Sequence, residues 1–316
     1  LKLEVWAKEL RIPFLSLPAI FVPLGITVAL LDGYFNLVYG ILTLIGIVCI
    51  HASVNVLNDY FDFKSGIDTT TTPTPFSGGS RVLPEKLLEP RSVLIGGIIL
   101  LAIGSLIGLY FLYVFNFPPI LIALLAIAII TSLAYSPVLS TIGLGEVFVF
   151  LNFGPLLFTG VYYIQSGGLI STEAMVVGSI VGLMTTAILY INQFPDTDAD
   201  KSKGRFHLVA RLGKKRAAGI YRYMIDAGFI ILFVGVVTFT IPPTAIIAFA
   251  AFPKFRVANK ILKNEYEKIM ELIPAMGNTV MGTIQSGVLL LVGYLIWYFL
   301  SIYFPGVTTI LPENIS

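Results

Sequence analysis

Charge is what this sequence is short of. Of its 316 residues only 12% are Asp, Glu, Lys or Arg, where a soluble domain carries about 25%. Hydrophobic residues make up 56%. That balance argues against a water-soluble fold and for an integral membrane protein. The formal net charge is only +2, too small to imply a nucleic-acid partner. The single cysteine, Cys49, lies inside an apolar run, so neither a disulfide framework nor a cysteine-built metal centre is available and a packing role is expected. The opening "LKLEVWAKELRIP" is a short amphipathic stretch without a small-residue cleavage site, and no cleavable signal peptide is expected.

Long apolar runs are what the chain has instead. A bilayer core about 30 Å thick takes roughly 20 apolar residues as a helix. Runs of that kind lie near 12–31, 36–57, 92–115, 118–136, 143–164, 173–194, 217–240, 242–262 and 280–303. The eighth is the weakest. It opens with Pro242 and Pro243 and meets Pro253 and Lys254 early, so it is expected to tilt or to insert only partly. With nine spans and a cytoplasmic N-terminus, all 20 Lys and Arg fall in or beside the N-terminus and segments 58–91, 195–216 and 254–279. The connections on the opposite side, including the C-terminal "FPGVTTILPENIS", hold none. The positive-inside rule therefore predicts an all-α integral membrane protein: nine transmembrane helices around a central cavity, N-terminus cytoplasmic and C-terminus outside. The chain is expected to form a single membrane-embedded domain, 1–316, in the cell membrane.

The same map gathers the acids. Asp59, Asp62 and Asp68 leave the second span, and Asp196, Asp198 and Asp200 leave the sixth, on the same cytoplasmic side. Each span ends with an asparagine four residues before an aspartate, Asn55 before Asp59 and Asn192 before Asp196. These are equivalent places in two successive four-helix units, helices 1–4 and 5–8, which suggests a weak internal repeat. On a helix, residues three and four apart share a face. Asn55, Asn58, Asp59 and Asp62 form one polar stripe; Asn192, Asp196 and Asp200 form another, while Asp198 points away and is expected to be solvated.

Helix ends often carry polar residues simply because they reach the headgroups. That explanation fits poorly with aspartates packed this densely beside asparagines that begin inside a span, since intramembrane carboxylates are costly. Carboxylates converging on one cavity need a cation, and hard oxygen ligands suit Mg²⁺ bridging to phosphate oxygens. A calcium loop fails for "DTDADKSKGRFH", because position six is Lys201 rather than glycine and position twelve is His207 rather than glutamate. Two facing acidic clusters with basic neighbours point to a diphosphate. Lys64, Arg81, Lys201 and Arg205 are the nearest basic candidates, each equally readable as ordinary positive-inside charge. The loop "SGGSR" at 77–81 offers backbone N–H groups to an anion, and the preceding "TTTTPTP" is a candidate lid.

These motifs carry a resemblance. "NDYFDFKSGID" and "DTDAD", placed after the second and sixth of nine helices, resemble the UbiA superfamily of intramembrane prenyltransferases, whose NDxxDxxxD and DxxxD motifs hold Mg²⁺ and a diphosphate. "SGGSRVLP", "YSPVLSTIGLGEVFVFLNFGP" and "DKSKGRFHLVARLG" look most like its menaquinone branch, the 1,4-dihydroxy-2-naphthoate prenyltransferases. The resemblance implies Asn58, Asp59, Asp62, Asp68, Asp196 and Asp200 as the metal-binding set, with Asp62 and Asp196 central to catalysis. Two places depart from the pattern. The last aspartate of the first motif is expected at 66, where Gly66 stands, and Asp68 follows two residues late. A YxxxK signature found in the family has Tyr135 here but Leu139 in place of the lysine.

The expected reaction is transfer of a prenyl group from an isoprenyl diphosphate to an aromatic or lipid acceptor within the bilayer. Aromatic faces can stabilise the allylic cation, and Tyr135, at the inner end of the fourth span, is the candidate. Glu146 and Asn152 are expected to orient or contact substrate, alongside Asn55 and Asn192. His51 reads as a packing residue rather than a base, and Asp226 as a structural partner of Arg222. Sister reactions on 4-hydroxybenzoate, haem or a geranylgeranylglyceryl phosphate lipid remain open, because an acceptor pocket has no motif. A cation transporter is a more remote alternative: a permeation path should place polar residues at several depths, and here the acids gather at one side.

Overall fold

The computed structural model describes residues 2–68, 71–304 and 306. The expected outer C-terminal tail from 307 onward, and Thr69 and Thr70 of the candidate lid, lie outside them. Among the described residues all regular structure is helical. An amphipathic helix α1 (Lys2–Glu9) leads into α2 (Ser16–Leu31), α3 (Leu37–Ser65), α4 (Pro90–Val114) and α5 (Pro119–Ala134). A π-helical turn, Tyr135–Leu139, closes this half. The second half comprises α6 (Gly145–Phe153), α7 (Pro155–Ser166), α8 (Thr172–Ser202), the short α9 (Leu208–Leu212), α10 (Lys214–Val237), α11 (Phe252–Glu265) and α12 (Ile273–Tyr303).

Local chemistry sets the boundaries. The Asn36 side chain accepts the Tyr39 N–H at 3.0 Å and starts α3; Ser171 does the same for Ala174 N–H at the start of α8, both ordinary N-caps. Gly66, at φ 76°, ends α3 in the left-handed conformation that glycine adopts without cost. Between α6 and α7 the fifth span breaks at Gly154-Pro155. The glycine is required for contact as well: a Cβ on Gly154 would lie 2.8 Å from the Gly178 carbonyl oxygen.

Two differences from the sequence expectation shape the site. First, α3 and α8 are 29 and 31 residues long, roughly 44 and 46 Å at 1.5 Å per residue. Both outrun a 30 Å hydrocarbon core and continue eight residues past the expected ends of their spans. Asn58, Asp59 and Asp62, and Asp196 and Asp200, therefore lie on the last helical turns of two long rods, as their spacing implied, while Asp68 follows the Gly66 cap.

Second, eight helical segments among the described residues are long and apolar enough to cross a membrane, and the expected eighth span is not one of them. It is a nine-residue 3-10 helix, Pro243–Ala251, running into the amphipathic α11. Its packing explains the unusual geometry. Ala245, Ala248 and Ala251 recur every three residues and are all fully buried, which matches three residues per turn. Small side chains on that edge let the backbone approach α12, where a Cβ on Gly293 would meet Ala245 Cα at 2.8 Å and Thr244 Oγ1 donates to Gly293 O at 2.6 Å. In α11 the buried positions become Phe255, Ala258 and Leu262, the wider α spacing.

The core sits around α8, which is buried along most of its length against α2, α7, α10 and α12. Faces of α4 and α5 turn apolar side chains such as Leu106, Ile122 and Ile130 outward, as lipid-facing helices must.

Candidate active site

The site forms where the inner ends of α3 and α8 meet. Asp59 is 1% exposed and takes the Arg11 guanidinium together with the Ser80 backbone N–H at 2.9 Å. Ser80 Oγ in turn donates to Glu9 at 2.8 Å. Asp62, one turn on, accepts from Asn58 Nδ2 at 2.9 Å, from the Ser136 hydroxyl, and from both Arg205 nitrogens. Past the Gly66 cap the chain folds back and buries Asp68. Two arginines thus stand against two carboxylates in the first motif.

On α8, Asp200 lies 3.6 Å from Arg205 Nη1 and 3.2 Å from His207 Nε2. His207 Nδ1 accepts the Ala210 N–H at 3.2 Å and caps α9. With Nδ1 used as an acceptor, Nε2 is the ring nitrogen left beside Asp200. Asp196 takes a backbone hydrogen bond from Gly78. One oxygen of Asp196 and one of Asp200 are buried without a hydrogen-bond partner. Such atoms cost roughly 1–3 kcal/mol each unless something else binds them.

The loop 77–81 ties the two motifs together. Gly78 and Gly79 have φ of 83° and 74°, and a Cβ on Gly79 would stand 3.1 Å from Asp68 Oδ1. The backbone amides of Gly78 and Ser80, read from the sequence as donors to a bound anion, are used by the protein's own carboxylates, Asp196 and Asp59. Arg81 Nη1 donates to the Asp68 carbonyl at 2.5 Å. Burial, then the neighbouring Asp62 and Asp59, push the Asp68 carboxyl up to about 8. Burial, then Asp59, push Glu9 up to about 7. Burial opposes the charge on Arg11 and on Arg205, but Asp59 and Asp62 respectively outweigh it and hold both firmly protonated.

From this mouth a cavity of about 450 Å³ runs inward between α3, α5, α7 and α8. Asp62, Asp68, Asp196, Asp200 and Arg205 line the mouth, with Arg11. Asn55 and Asn58 line it from α3, Tyr135 and Asn152 from the opposite wall, and Asn192 from α8. Deeper, the walls are hydrocarbon: Ile47, Ile107, Leu121 and Ile164.

Five residues expected at the site fall elsewhere. Lys64 and Lys201 are exposed to solvent. Arg81 is committed to the Asp68 backbone. Glu146 accepts the Leu208 N–H at 2.9 Å, so it anchors the loop carrying Arg205 and His207 rather than facing the cavity. Asp59 sits behind Arg11. Conversely, Arg11, Ser136, Gln193 and His207 reach the site without having been singled out. Arg11 is one of three cations before the first span, with Lys2 and Lys8, and indistinguishable in sequence from positive-inside charge. Elsewhere, Arg222 pairs with Asp226 at 2.8 Å and Asp198 sits exposed beside Lys214.

Comparison with known proteins places these features. The model of the UbiA prenyltransferase family matches residues 18–273, and the chain belongs to that family. It is accordingly a membrane-embedded prenyltransferase. The 1,4-dihydroxy-2-naphthoate octaprenyltransferase of Bacillus subtilis is 27% identical over 297 residues, 90% of each chain. The zebrafish UbiA prenyltransferase domain-containing protein 1 is 27% identical over 215 residues, 67% of this chain, and the match spans only 62% of that protein's length. Among solved structures, the apo UbiA homolog from Aeropyrum pernix has a TM-score of 0.67 at 20% identity, covering 90% of this chain and 98% of its own. A homolog from Archaeoglobus fulgidus bound to DMAPP and Mg²⁺ has a TM-score of 0.54 at 13% identity, with the same coverage. At these identities the structures establish the shared fold.

Proposed function

We propose that this chain transfers a polyprenyl group from an isoprenyl diphosphate to an aromatic acceptor, 1,4-dihydroxy-2-naphthoate, with Mg²⁺ as cofactor. The observation that carries it is the cavity itself: two aspartate motifs from different helices and two half-buried arginines at one end, continuous with an apolar tunnel. That is the shape of a diphosphate with a hydrocarbon tail. The naphthoate acceptor is favoured by the likeness to the Bacillus subtilis octaprenyltransferase over 90% of each chain.

The donor set fits a hard divalent ion. Asp196 and Asp200 line the same mouth as Asp62 and Asp68, and one buried oxygen of Asp196 has no hydrogen-bond partner. Among the described residues no three acidic or histidine side chains converge into a ready cage. Mg²⁺ usually takes only one or two carboxylates and fills its shell with water and phosphate oxygens, so the absence of a closed cage suits it. Held by one or two of Asp62, Asp68, Asp196 and Asp200, with Asn58 alongside and phosphate oxygens completing its shell, it would supply positive charge to the departing diphosphate.

The chain's own groups do the rest. Arg11 and Arg205 stay charged and present paired donors that match phosphate oxygens. Tyr135 lends a ring face beside the mouth, where the allylic C1–O bond breaks. The apolar walls exclude water from the allylic cation. The diphosphate leaves with the C1–O electron pair, a ring carbon of the acceptor bonds to C1, and the proton lost from that carbon passes to an oxygen of the released diphosphate, which restores aromaticity. His207 positions Asp200, and Glu146 holds the loop that brings them together.

The full topology belongs to the same proposal: nine crossings of the cell membrane, the 3-10 segment and the start of α11 making the eighth, with the site open to the cytoplasm. A 3-10 helix climbs about 2.0 Å per residue, which lengthens the reach of a short segment. Asn55 before Asp59 and Asn192 before Asp196 make the two halves a degenerate repeat within one domain. Purified protein given Mg²⁺ and labelled geranylgeranyl diphosphate should release pyrophosphate with the naphthoate, and mass spectrometry should find the prenylated product. Failure on naphthoate with success on 4-hydroxybenzoate or a glycerophosphate would move the acceptor; failure on all would sink the assignment.

A further inference from the structure

Between the acidic mouth and the hydrocarbon depth the cavity has a middle zone of uncharged polar side chains. His51 from α3, Asn152 from α6 and Asn192 from α8 all line it. His51 shares a helix face with Asn55, Asn58 and Asp62, spaced four, three and four residues apart. It stands 11 residues before Asp62, roughly 16 Å along the axis, well beyond reach of the metal-binding carboxylates. Its ring packs edge-on against Phe153, centroids 4.8 Å apart at 80°, which fixes its plane. Its Nδ1 is nevertheless buried with no hydrogen-bond partner, and so is Asn192 Oδ1. Asn152 Nδ2 is used within its own helix, on the Phe148 carbonyl at 2.8 Å.

Buried polar atoms are rarely left this way, because each forfeits hydrogen bonds it made in water. The prenyl donor cannot satisfy them. All its polar atoms are in the diphosphate at the mouth, and its tail is hydrocarbon. The second substrate of the proposed reaction is an aromatic ring with hydroxyl groups, flat enough to lie against Phe153 and able to donate to a neutral imidazole.

We propose that this middle zone is the acceptor subsite and that His51 selects the acceptor by accepting a hydrogen bond from a ring hydroxyl. The inference rests on the prenyltransferase reading above and adds to it the residue that reads the acceptor. A site built to hydrogen-bond a hydroxyl discriminates strongly against a ligand that lacks it. Removing the imidazole therefore costs acceptor affinity and selectivity together, and leaves the donor untouched.

The test uses His51→Phe, which keeps an aromatic ring against Phe153, and His51→Gln, which keeps a polar atom. Two acceptors are compared, 1,4-dihydroxy-2-naphthoate and its 4-methoxy analogue. Mg²⁺-dependent binding of geranylgeranyl thiolodiphosphate is measured separately by equilibrium dialysis. His51→Phe should raise KM for the dihydroxy acceptor by about 10- to 100-fold, bring the two acceptors close to parity, and leave donor binding within about twofold. His51→Gln should restore part of the preference. An unchanged KM and preference in an active His51→Phe, or in His51→Gln should the first fail to fold, overturns the assignment and leaves His51 a packing residue whose Nδ1 holds water. A wild type that binds the thiolodiphosphate but prenylates no hydroxylated aromatic overturns the parent reading, and this inference with it.

Discussion

Arg205 and Asp62 are 143 residues apart in the chain, yet one guanidinium reaches both oxygens of the carboxylate, Nη1 lying 3.2 Å from Oδ2. The same Nη1 is 3.6 Å from Asp200. Arg205 therefore fastens the first acidic motif to the second, and its side chain is only 11% exposed.

Arg205→Ala should destabilise the metal-free protein, because it leaves Asp62 buried without its partner. Breaking such a pair costs up to about 3–5 kcal/mol, reduced here by the Asn58 and Ser136 bonds that Asp62 retains. Donor affinity should fall at least about tenfold, since a charge-assisted contact is worth roughly 1.5–3 kcal/mol. Arg205→Lys restores the charge but not the paired geometry, and should recover only part. Thermal denaturation and equilibrium binding of a thiolodiphosphate separate the two effects. Undiminished donor binding in Arg205→Ala would remove this residue from the diphosphate site.

Asp196 behaves in the opposite way. It faces Asp200 across one helical turn, and one of its oxygens has no partner. Asp196→Ala relieves that repulsion, so the metal-free protein should melt no lower than wild type. Mg²⁺ with a diphosphate donor stabilises the wild type by linkage, about 2.7 kcal/mol at a concentration 100 times Kd. In Asp196→Ala that ligand-induced shift should vanish. A variant that keeps it does not use Asp196 to hold the donor.

Glu9 and Asp68 give the metal-free protein a pH dependence of defined sign. Both lie outside the spans, and both carboxyls are pushed up by burial first and by neighbouring aspartates second, Glu9 to about 7 and Asp68 to about 8. The folded protein then holds protons that the unfolded chain, ionising near 4.5 and 3.8, has already released. Stability is fullest at acid pH and falls as pH rises through 7 and 8, with a slope of up to about 1.4 kcal/mol per pH unit for each group. The Tm of metal-free protein should drop between pH 6 and 8.5. Glu9→Gln and Asp68→Asn should each flatten that drop. A Tm that rises over this interval would contradict the burial assigned to them.

The aspartates were legible because helical spacing and membrane side are both written in one dimension. Residues 58, 59 and 62, and 196 and 200, recur at the helical period and lie next to apolar runs that fix their depth. Basic residues carry no such signal. Lys64 and Lys201 are adjacent in sequence to the motifs and exposed in the fold, whereas Arg11 is 48 residues from Asp59 and binds it. Which cation reaches a site is decided by tertiary packing, here by the left-handed turn at Arg11 with φ 51° and by Glu146 holding the loop after α8. The 3-10 segment was hidden for a related reason. Its alanine period of three lies inside a uniformly apolar run, where no polar face marks the repeat.

Gly160 tests whether the deep tunnel holds the prenyl tail. It lines the apolar part of the cavity from α7, and a Cβ there meets only Leu124 Cδ1, at 3.4 Å. A larger side chain at this position has no pocket of its own and must project into the tunnel. Gly160→Phe should therefore leave the acidic mouth, and the binding of a short donor such as geranyl diphosphate, within about threefold of wild type. Donors long enough to pass residue 160 should lose at least about tenfold in kcat/KM, because their tails must leave the cavity or displace packed side chains. Competing short and long donors in one reaction, with the products weighed by mass spectrometry, gives the ratio directly. Equal losses for both lengths would mean that the tail leaves by another route, through the side of the bundle into lipid, and that the depth of the cavity does not measure the donor.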